Sequence, residues 1–392
     1  MKIRRLQINN KVLETTLFLT YNFFGIEEKI RARPWEYDEF YEEFGYLHIL
    51  FSLKDLLNKK GSLKLIHNLS DLNMKLDKTI IMLDTDLRSL KWAHDMNTDL
   101  LIKKILAIIT ILKPDICVIP YFRILTKDPP NTKEYLLEKN LKLMKAFLEF
   151  LKHSKDYTES FTFSPCLQVP VTYSEKNKVD IILSKYRNII ANFDWIKMLS
   201  YGSHMGWPLP DMIEDTYISY KIRKEFGDDY FIHALGIGRA SIFALVNAVG
   251  IDSGDCVSWS KTGGYGKILP NPFEGEKRVC EKTMSSITMI KKVPHIDWNK
   301  FKCNCPFCRN KSLSEIKSMF AKVCEKKEYL KSPLSVPLRI HNAWMTLMGV
   351  KEIKNLLTSC SKAEYKTFIR KIGSIHNHYK KAAEFILKTV LL

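Results

Sequence analysis

The chain has 392 residues, of which 46% are hydrophobic and 11% aromatic, and this composition excludes a disordered protein. The length allows one large domain or two ordinary ones. The formal net charge of +18 indicates either a Lys-rich soluble surface or a polyanionic partner such as nucleic acid.

Two segments bear on location, and neither has the hydrophobicity that export or membrane insertion requires. The basic start, MKIRRLQINN, is not followed by an apolar stretch, so we expect no signal peptide. The longest apolar run, ILAIITIL at 105–112, is too short to span a bilayer. We therefore expect a soluble, cytoplasmic protein without a membrane partner, whose cysteines stay reduced.

Short apolar, β-rich runs alternate with helix-like stretches along the chain. The spacing of roughly 25–45 residues between runs is typical of successive β-α units. Because the runs are apolar on both faces, they fit parallel strands covered by helices. The predicted strands lie at 79–86, 115–122, 162–170, 195–203, 230–238 and 255–260, and the clearest predicted helices at 131–153 and 213–226.

Two architectures suit this alternation, a doubly wound sheet and a (β/α)8 barrel. No G-x-G-x-x-G motif follows an early strand, which disfavours a dinucleotide-binding sheet. A barrel gathers its chemistry at one mouth from the carboxyl ends of many strands, and polar residues end several predicted strands here. They are Asp84, Asp86, Gln168, Gly202, Ser203, His204 and Asp255. The barrel is favoured.

Three cysteines are clustered in the segment FKCNCPFCRN at 301–310. Cys303, Cys305 and Cys308 form C-x-C-x-x-C, which suits one tetrahedral zinc ion but leaves it one ligand short. The best fourth ligand is His341, which follows the cluster by 33 residues and begins a predicted amphipathic helix. The alternatives are His295, His376, His378 and Cys324. With four protein ligands the Zn²⁺ has no open position for water, so we expect it to be structural.

These features predict an α/β protein, a (β/α)8 TIM barrel with an inserted C-terminal zinc-binding subdomain. The barrel domain is expected to span residues 1–295 and the zinc-binding subdomain residues 296–345. Residues 346–392 are expected to form C-terminal helices that complete the barrel.

The order of motifs in the C-terminal half is similar to that of a known superfamily. HALGIG at 233–238 is followed by GIDSGDCV at 250–257, by the cysteine cluster and by IHNAW at a helix start. This order resembles the tRNA-guanine transglycosylase superfamily, over about residues 79–355. Its members are zinc-containing (β/α)8 barrels that exchange a guanine base in a polynucleotide for a 7-deazaguanine.

The resemblance implies roles for particular residues. The catalytic nucleophile falls on Asp255, with Asp252 as the alternative, and the second catalytic aspartate falls on Asp84, with Asp86 as its substitute. The base-binding positions fall on Gln168, Gly202, Leu235 and Gly236. The zinc ligands fall on Cys303, Cys305, Cys308 and His341.

The chemistry of base exchange explains these residue types. Retention of configuration at C1′ calls for a carboxylate nucleophile, Asp255, and a covalent glycosyl intermediate. Guanine leaves poorly as an anion, so a second acid, Asp84, must protonate it. Gln168 can present its amide to the donor and acceptor edge of the base. The target nucleotide must leave its stack to reach such a pocket.

Several positions depart from the superfamily pattern. Asp84 lies in DTDLR, so Arg88 occupies the place of an aromatic residue that would stack on the base. Tyr121 occupies the place of another base-binding aspartate. After Asp255 the sequence SWSKTGGYGKIL lacks the arginine-rich stretch of the tRNA-acting members. Its Ser-Trp pair resembles the DNA-modifying branch, the deazaguanine DNA transglycosylases.

We therefore expect a pentosyltransferase that replaces guanine in DNA with a preQ0-like 7-deazaguanine and that can form a homodimer. The alternatives are a tRNA-acting enzyme of the queuosine or archaeosine type and a noncatalytic nucleic-acid-binding subunit. His233 is expected to be structural. GGYG at 263–266 lacks the Lys-Ser/Thr of a phosphate-binding loop and is expected to be a flexible loop at the barrel mouth.

Overall fold

The structure is a computed structural model that describes residues 3–21, 32–57, 76–202, 212–279, 294–322 and 333–391. Its strands are β1 Arg5–Ile8, β2 Lys11–Glu14, β3 Thr16–Tyr21, β4 Leu47–Ser52, β5 Thr79–Asp84, β6 Ile116–Val118, β7 Thr162–Ser164, β8 Cys166–Gln168, β9 Met198–Gly202, β10 Phe231–Leu235, β11 Ser253–Cys256, β12 Lys267–Ile268 and β13 Lys277–Arg278. Its α-helices are α1 Asp38–Phe44, α2 Leu53–Leu57, α3 Lys91–Asp95, α4 Thr98–Leu112, α5 Pro130–Lys152, α6 Lys155–Ser160, α7 Val179–Ile190, α8 Met212–Phe226, α9 Ala240–Ala248, α10 Ser258–Gly264, α11 Leu313–Ala321, α12 Val336–Ser359, α13 Lys362–Ile375 and α14 Asn377–Thr389. Ser203, His204 and Cys324 lie outside the described residues.

Nine parallel strands form a nearly closed barrel in the order β7-β6-β5-β4-β3-β11-β10-β9-β8. The two end strands, β7 and β8, are separated along the chain by Pro165 alone, which has no N–H for the ladder. The carbonyl of Pro165 accepts a hydrogen bond from the Ser200 N–H at 2.8 Å. One extended segment therefore joins both edges of the sheet, and the predicted TIM-like α/β barrel is confirmed.

The barrel strands agree in part with the sequence prediction. The runs at 79–86, 115–122, 162–170, 195–203 and 230–238 each contain a strand. The run at 255–260 is misplaced, because β11 ends at Cys256 and α10 begins at Ser258. Strands β3 and β4 are missed altogether, since short apolar runs carry no periodicity that separates a buried strand from a buried helix.

A hairpin of β1 and β2 covers the amino-terminal end of the barrel. Ile8 and Leu13 of the hairpin, both at most 1% exposed, join the apolar side chains that fill the barrel interior. Lys11 extends from the hairpin turn to the carbonyl of Thr79 at 2.6 Å and to the Asp115 carboxylate at 2.9 Å. The interior is therefore a solid core at this end, and the open end is the one where the strands finish.

Asp252 lies at the closed end, although it precedes Asp255 by three residues. Its carbonyl accepts from the Thr16 N–H at 3.1 Å where β3 begins. Its carboxylate is paired with Arg4, at 2.9 Å, and with Arg223, and it is 1% exposed. This position does not favour Asp252 as an alternative nucleophile, because β11 separates it from the barrel mouth.

Helix α12 spans the side of the barrel and contacts α10, α9 and β12. Gly263 of α10 approaches it so closely that an added Cβ would lie 2.7 Å from the backbone nitrogen of Arg339. The prediction of a flexible loop at 263–266 is wrong, because Gly263 and Gly264 are buried in α10.

Helices α13 and α14 form a hairpin against α8 and α9. In the described part of the chain, no helix has both the length and the apolar character needed to cross a membrane. The division into segments 1–295, 296–345 and 346–392 stays a prediction.

We predict that Asp252→Ala lowers the free energy of unfolding by about 3–5 kcal/mol, because it removes a fully buried carboxylate that pairs with the partly buried Arg4 and Arg223 and accepts from the Ile232 N–H. Urea unfolding of the purified protein measures this loss. Glu138→Ala is the matched control, since its ion pair with Lys185 is almost half exposed on both sides and should contribute at most about 1 kcal/mol. Equal effects of the two changes would contradict the structural role of Asp252.

Candidate functional site

Four of the residues predicted to bind the base lie together at the carboxyl ends of neighbouring strands. Gln168 of β8 is paired in register with Gly202 of β9, and Gly202 is paired with Leu235 of β10. Gly236 follows β10, and its N–H donates to Oδ1 of Asp255 at 2.5 Å. The predicted nucleophile therefore lies beside the predicted base-binding row.

The side chain of Gln168 is packed against Gly202. A Cβ added at Gly202 would lie 2.1 Å from Nε2 of Gln168, so a side chain at this position would displace the amide. Oε1 of Gln168 accepts from the Ile124 N–H at 3.0 Å, and Nε2 donates to Sγ of Cys166 at 3.3 Å. Gln168 is 2% exposed, and because its amide has a second N–H and a second oxygen lone pair, it can keep both bonds and still contact a base.

Asp255 is held by donors on both carboxylate oxygens. Oδ2 accepts from the Thr20 hydroxyl at 2.6 Å, and Oδ1 accepts from the Gly236 N–H. The backbone carbonyl of Asp255 accepts from the Gly238 N–H at 3.0 Å. Thr20 comes from β3, which pairs directly with β11, so the closure of the barrel brings this donor to the carboxylate.

Asp84 ends β5 in a different environment. The Tyr121 hydroxyl donates to its Oδ1 at 3.0 Å, and the side chain is almost fully buried. Burial and the negative charges of Asp86 and Asp255 raise the pKa of Asp84 to about 7, against the opposing effects of Arg123 and the Tyr121 hydrogen bond. A carboxyl group with this pKa can give and take a proton near neutral pH.

Asp86 is engaged in an ion pair. Its Oδ2 lies 2.6 Å from a guanidinium nitrogen of Arg123, and its Oδ1 accepts from the Arg88 N–H at 3.0 Å. The side chain is 4% exposed. With both oxygens occupied in this way, Asp86 supports the loop that carries Arg88 and adds negative charge beside Asp84.

Arg88 does not extend into open space. Its two guanidinium nitrogens bind the carboxylate of Asp128 at 2.6 and 2.9 Å, and one of them also donates to the carbonyl of Arg123 at 2.8 Å. The hydrogen bond with Arg88 lowers the pKa of Asp128, which keeps this carboxylate charged. The two hydrogen bonds to Asp128 therefore fix the planar guanidinium group of Arg88.

Three cysteines and one histidine meet at a single point outside the barrel. Sγ of Cys303, Cys305 and Cys308 lie 3.1, 3.7 and 3.8 Å from Nδ1 of His341. All four ligand atoms lie within 4.8 Å of one another. Tetrahedral zinc with ordinary Zn–S and Zn–N bonds places sulfur and nitrogen about 3.6 Å apart, so the four donors fit the ion.

The surroundings of the cluster orient its ligands. Nε2 of His341 donates to the Leu269 carbonyl at 2.9 Å, which leaves Nδ1 free of a proton for a metal. The rings of Phe301 and Phe320 flank the imidazole, with centroids 5.4 and 5.6 Å from it. The Cys3His cluster is that of a structural zinc site, as predicted. Helix α12 carries His341 in its second turn, since it begins at Val336.

Sequence reasoning missed three contacts of this site. The contact of Thr20 with Asp255 was missed because strand β3 was missed. The ion pair of Asp86 with Arg123 was missed because it joins two separate loops. Tyr121 was singled out only as a departure, and its hydrogen bond to Asp84 depends on the pairing of β5 with β6. Arg123 follows a predicted strand, and a polar residue in that position was the one sequence signal that could have indicated it.

A family model described as queuine tRNA-ribosyltransferase, TGT, matches residues 37–374. The matched range begins just before α1 and ends in α13, so it contains Asp84, Gln168, Asp255 and the Cys3His cluster, whereas β3 with Thr20 precedes it. A search of curated proteins found no match.

We predict that the purified protein contains one zinc ion per chain. Cys305→Ser should remove the zinc and lower the melting temperature, because the binding energy of a structural metal is part of the folding energy. Elemental analysis and a melting curve measure both effects. Cys360→Ser is the control, since this half-buried cysteine lies at the end of α12 and outside the cluster. Unchanged melting of Cys305→Ser would rule out the structural role of the ion.

Proposed function

The chain belongs to the queuine tRNA-ribosyltransferase family of pentosyltransferases, and on this basis we propose that it replaces guanine in DNA with a 7-deazaguanine such as preQ0. The observation that carries the proposal is the pair of carboxylates at the barrel mouth. Asp255 is held by hydrogen-bond donors, whereas the pKa of Asp84 lies near neutrality. A double displacement at C1′ requires two carboxyl groups, one held in place to attack and one able to exchange a proton.

Asp255 is the proposed nucleophile. One of its carboxylate oxygens forms a bond to C1′ while the C1′–N9 bond breaks and its electron pair goes to the departing guanine. The incoming base then attacks C1′ from the side that guanine left and releases the carboxylate. Thr20 and Gly236 support this role, because their hydrogen bonds hold the carboxylate in one orientation before the attack.

Asp84 is the proposed acid and base. Its proton passes to guanine as the glycosidic bond breaks, and it takes a proton from the incoming base in the second step. The pKa of about 7 supports this role, since neither direction of transfer is then strongly uphill near neutral pH. Gln168, Gly202, Leu235 and Gly236 are proposed to contact the base.

The choice of DNA rests on the segment after the nucleophile. Ser258–Gly264 forms the short helix α10, in which Trp259 is fully buried and donates to the Thr20 carbonyl at 3.3 Å. Lys261 is the basic residue of this helix. A segment built this way does not offer the arginine-rich grip on an anticodon region, which favours another polymer. The tRNA named in the family description is the second candidate.

We predict that Asp255→Asn abolishes exchange, because an amide is not a nucleophile of this kind, while polymer binding persists. Asp84→Asn should slow exchange by about 10²–10⁴-fold, the usual contribution of an acid or base. The assay follows labelled guanine into DNA and, separately, into tRNA, with a denaturing gel for the covalent complex. Asp180→Asn, an exposed carboxylate on α7, is the control.

Each outcome of this assay has a distinct meaning. Exchange or covalent trapping by Asp255→Asn would place the nucleophile elsewhere. Incorporation by the unmodified protein into tRNA but not DNA would overturn the proposed polymer and leave the reaction intact. Incorporation into neither polymer would overturn base exchange itself.

We also predict the pH dependence of the first step. Formation of the covalent complex needs protonated Asp84, so its rate should fall as the pH rises through about 7. Tyr121→Phe removes a donor to the ionised carboxylate and should move this fall upward by about one pH unit. Tyr365→Phe, a buried tyrosine of α13, is the control and should leave the profile in place. An unshifted profile in Tyr121→Phe would show that Asp84 is not the titrating group.

A further inference from the structure

His233 lies in the barrel interior next to the proposed nucleophile. It belongs to β10, is fully buried, and is paired in register with Ser253 of β11. Nδ1 of its ring lies 2.9 Å from the Ser253 hydroxyl oxygen. Nε2 lies 3.7 Å from Oδ1 of Asp255 and has no hydrogen-bond partner among the described residues.

The contact with Ser253 decides which ring nitrogen carries the proton. If Nδ1 donated to the hydroxyl, Nε2 would present a lone pair to the lone pairs of the Asp255 carboxylate. Repulsion between them in a dry interior disfavours this arrangement. When the Ser253 hydroxyl donates to Nδ1 instead, Nε2 carries a hydrogen that faces Oδ1.

The distance of 3.7 Å is too long for a hydrogen bond, so this donor is unused in the resting protein. A shift of the carboxylate by less than one ångström would bring the two atoms together. In the proposed reaction the carboxylate moves toward C1′, and this movement allows such a shift. The ring is meanwhile held by Ser253 and by the edge-on Phe18 ring, whose centroid lies 5.3 Å away.

We propose that His233 is a positioning residue that makes Oδ1 of Asp255 the oxygen retained as the ester carbonyl and leaves Oδ2 to attack C1′. This inference rests on the proposed function. Oδ1 has the Gly236 N–H and the unused Nε2–H on its side, whereas the one partner of Oδ2 among the described residues is the Thr20 hydroxyl, which can rotate away. In the reaction the Oδ2–C1′ bond forms, the C1′–N9 bond breaks, and the base takes its proton from Asp84.

A second buried histidine provides a matched comparison. His48 of β4 also contacts the Phe18 ring at 5.3 Å and also has an unpartnered ring nitrogen among the described residues. It lies near the closed end, where burial and the positive charge of Lys354 lower its pKa to about 3. It is remote from the mouth, so its replacement tests packing without touching Asp255.

The experiment compares His233→Leu, His233→Gln and His48→Leu in the exchange assay. His233→Leu replaces the imidazole with an apolar side chain of similar bulk and so removes the donor. We expect kcat to fall by about 10- to 100-fold while KM for the polymer stays the same. His233→Gln places an amide N–H near the former Nε2 position and should restore most of kcat. His48→Leu should exchange at the rate of the unmodified protein, and zinc content and melting confirm that each variant is folded.

The outcomes separate this inference from the function on which it rests. An unmodified protein without exchange activity would overturn both. An active unmodified protein with an equally active His233→Leu variant would overturn the positioning role alone, as would equal losses in His233→Leu and His233→Gln. If His233→Leu does not fold, Ser253→Ala serves instead, because it removes the hydroxyl that holds the His233 ring in one tautomer. This variant should lower kcat without changing KM, and an unchanged kcat would overturn the inference.

Discussion

The register of neighbouring parallel strands determines where chemistry can occur in this protein. Gln168, Gly202 and Leu235 end their strands side by side because β8, β9 and β10 are paired in step. A slip of one residue would turn each side chain to the other face of the sheet. Since β8 has three residues, its register depends on the bond from the Ser200 N–H to the Pro165 carbonyl as much as on its own ladder.

Two carboxylates at the same mouth acquire different properties from their immediate neighbours. Asp255 meets a hydroxyl and a backbone N–H, which hold its carboxylate in one orientation. Among the described residues Asp84 has one hydrogen-bond donor, Tyr121, and burial together with the negative charge of Asp86 raises its pKa. The surroundings therefore separate a group suited to attack from a group suited to proton transfer, with no difference in residue type.

Local patterns in the sequence were sufficient for the parts of the site that depend on spacing. The cysteine cluster is set by one short segment, and Asp84 and Gln168 lie near the ends of predicted apolar runs, so their place at strand ends could be predicted. Asp255 is instead the first residue of the misplaced run at 255–260. Asp252 and Asp255 show the limit. They are three residues apart, yet a rise of about 3.3 Å per residue puts them at opposite ends of β11. Only the start of that strand, which the run at 255–260 misplaced, distinguishes the two.

Contacts between distant segments could not be predicted in this way. Thr20 reaches Asp255 across 235 residues of chain, and Arg88 reaches Asp128 across 40. Both depend on which strands are neighbours and on how the loops after them fold, and short apolar runs do not encode that. The short helix at Ser258–Gly264 was missed for a similar reason, since Gly263 is required by the close approach of α12.

The β1–β2 hairpin closes the amino-terminal end of the barrel and thereby limits how molecules reach the site. Among the described residues, Ile8, Leu13 and the side chains packed on them fill the barrel interior at this end, so both bases of the proposed exchange would use the mouth. In the proposed reaction the two bases therefore share one route, and the closed end supports the mouth instead of offering a second exit.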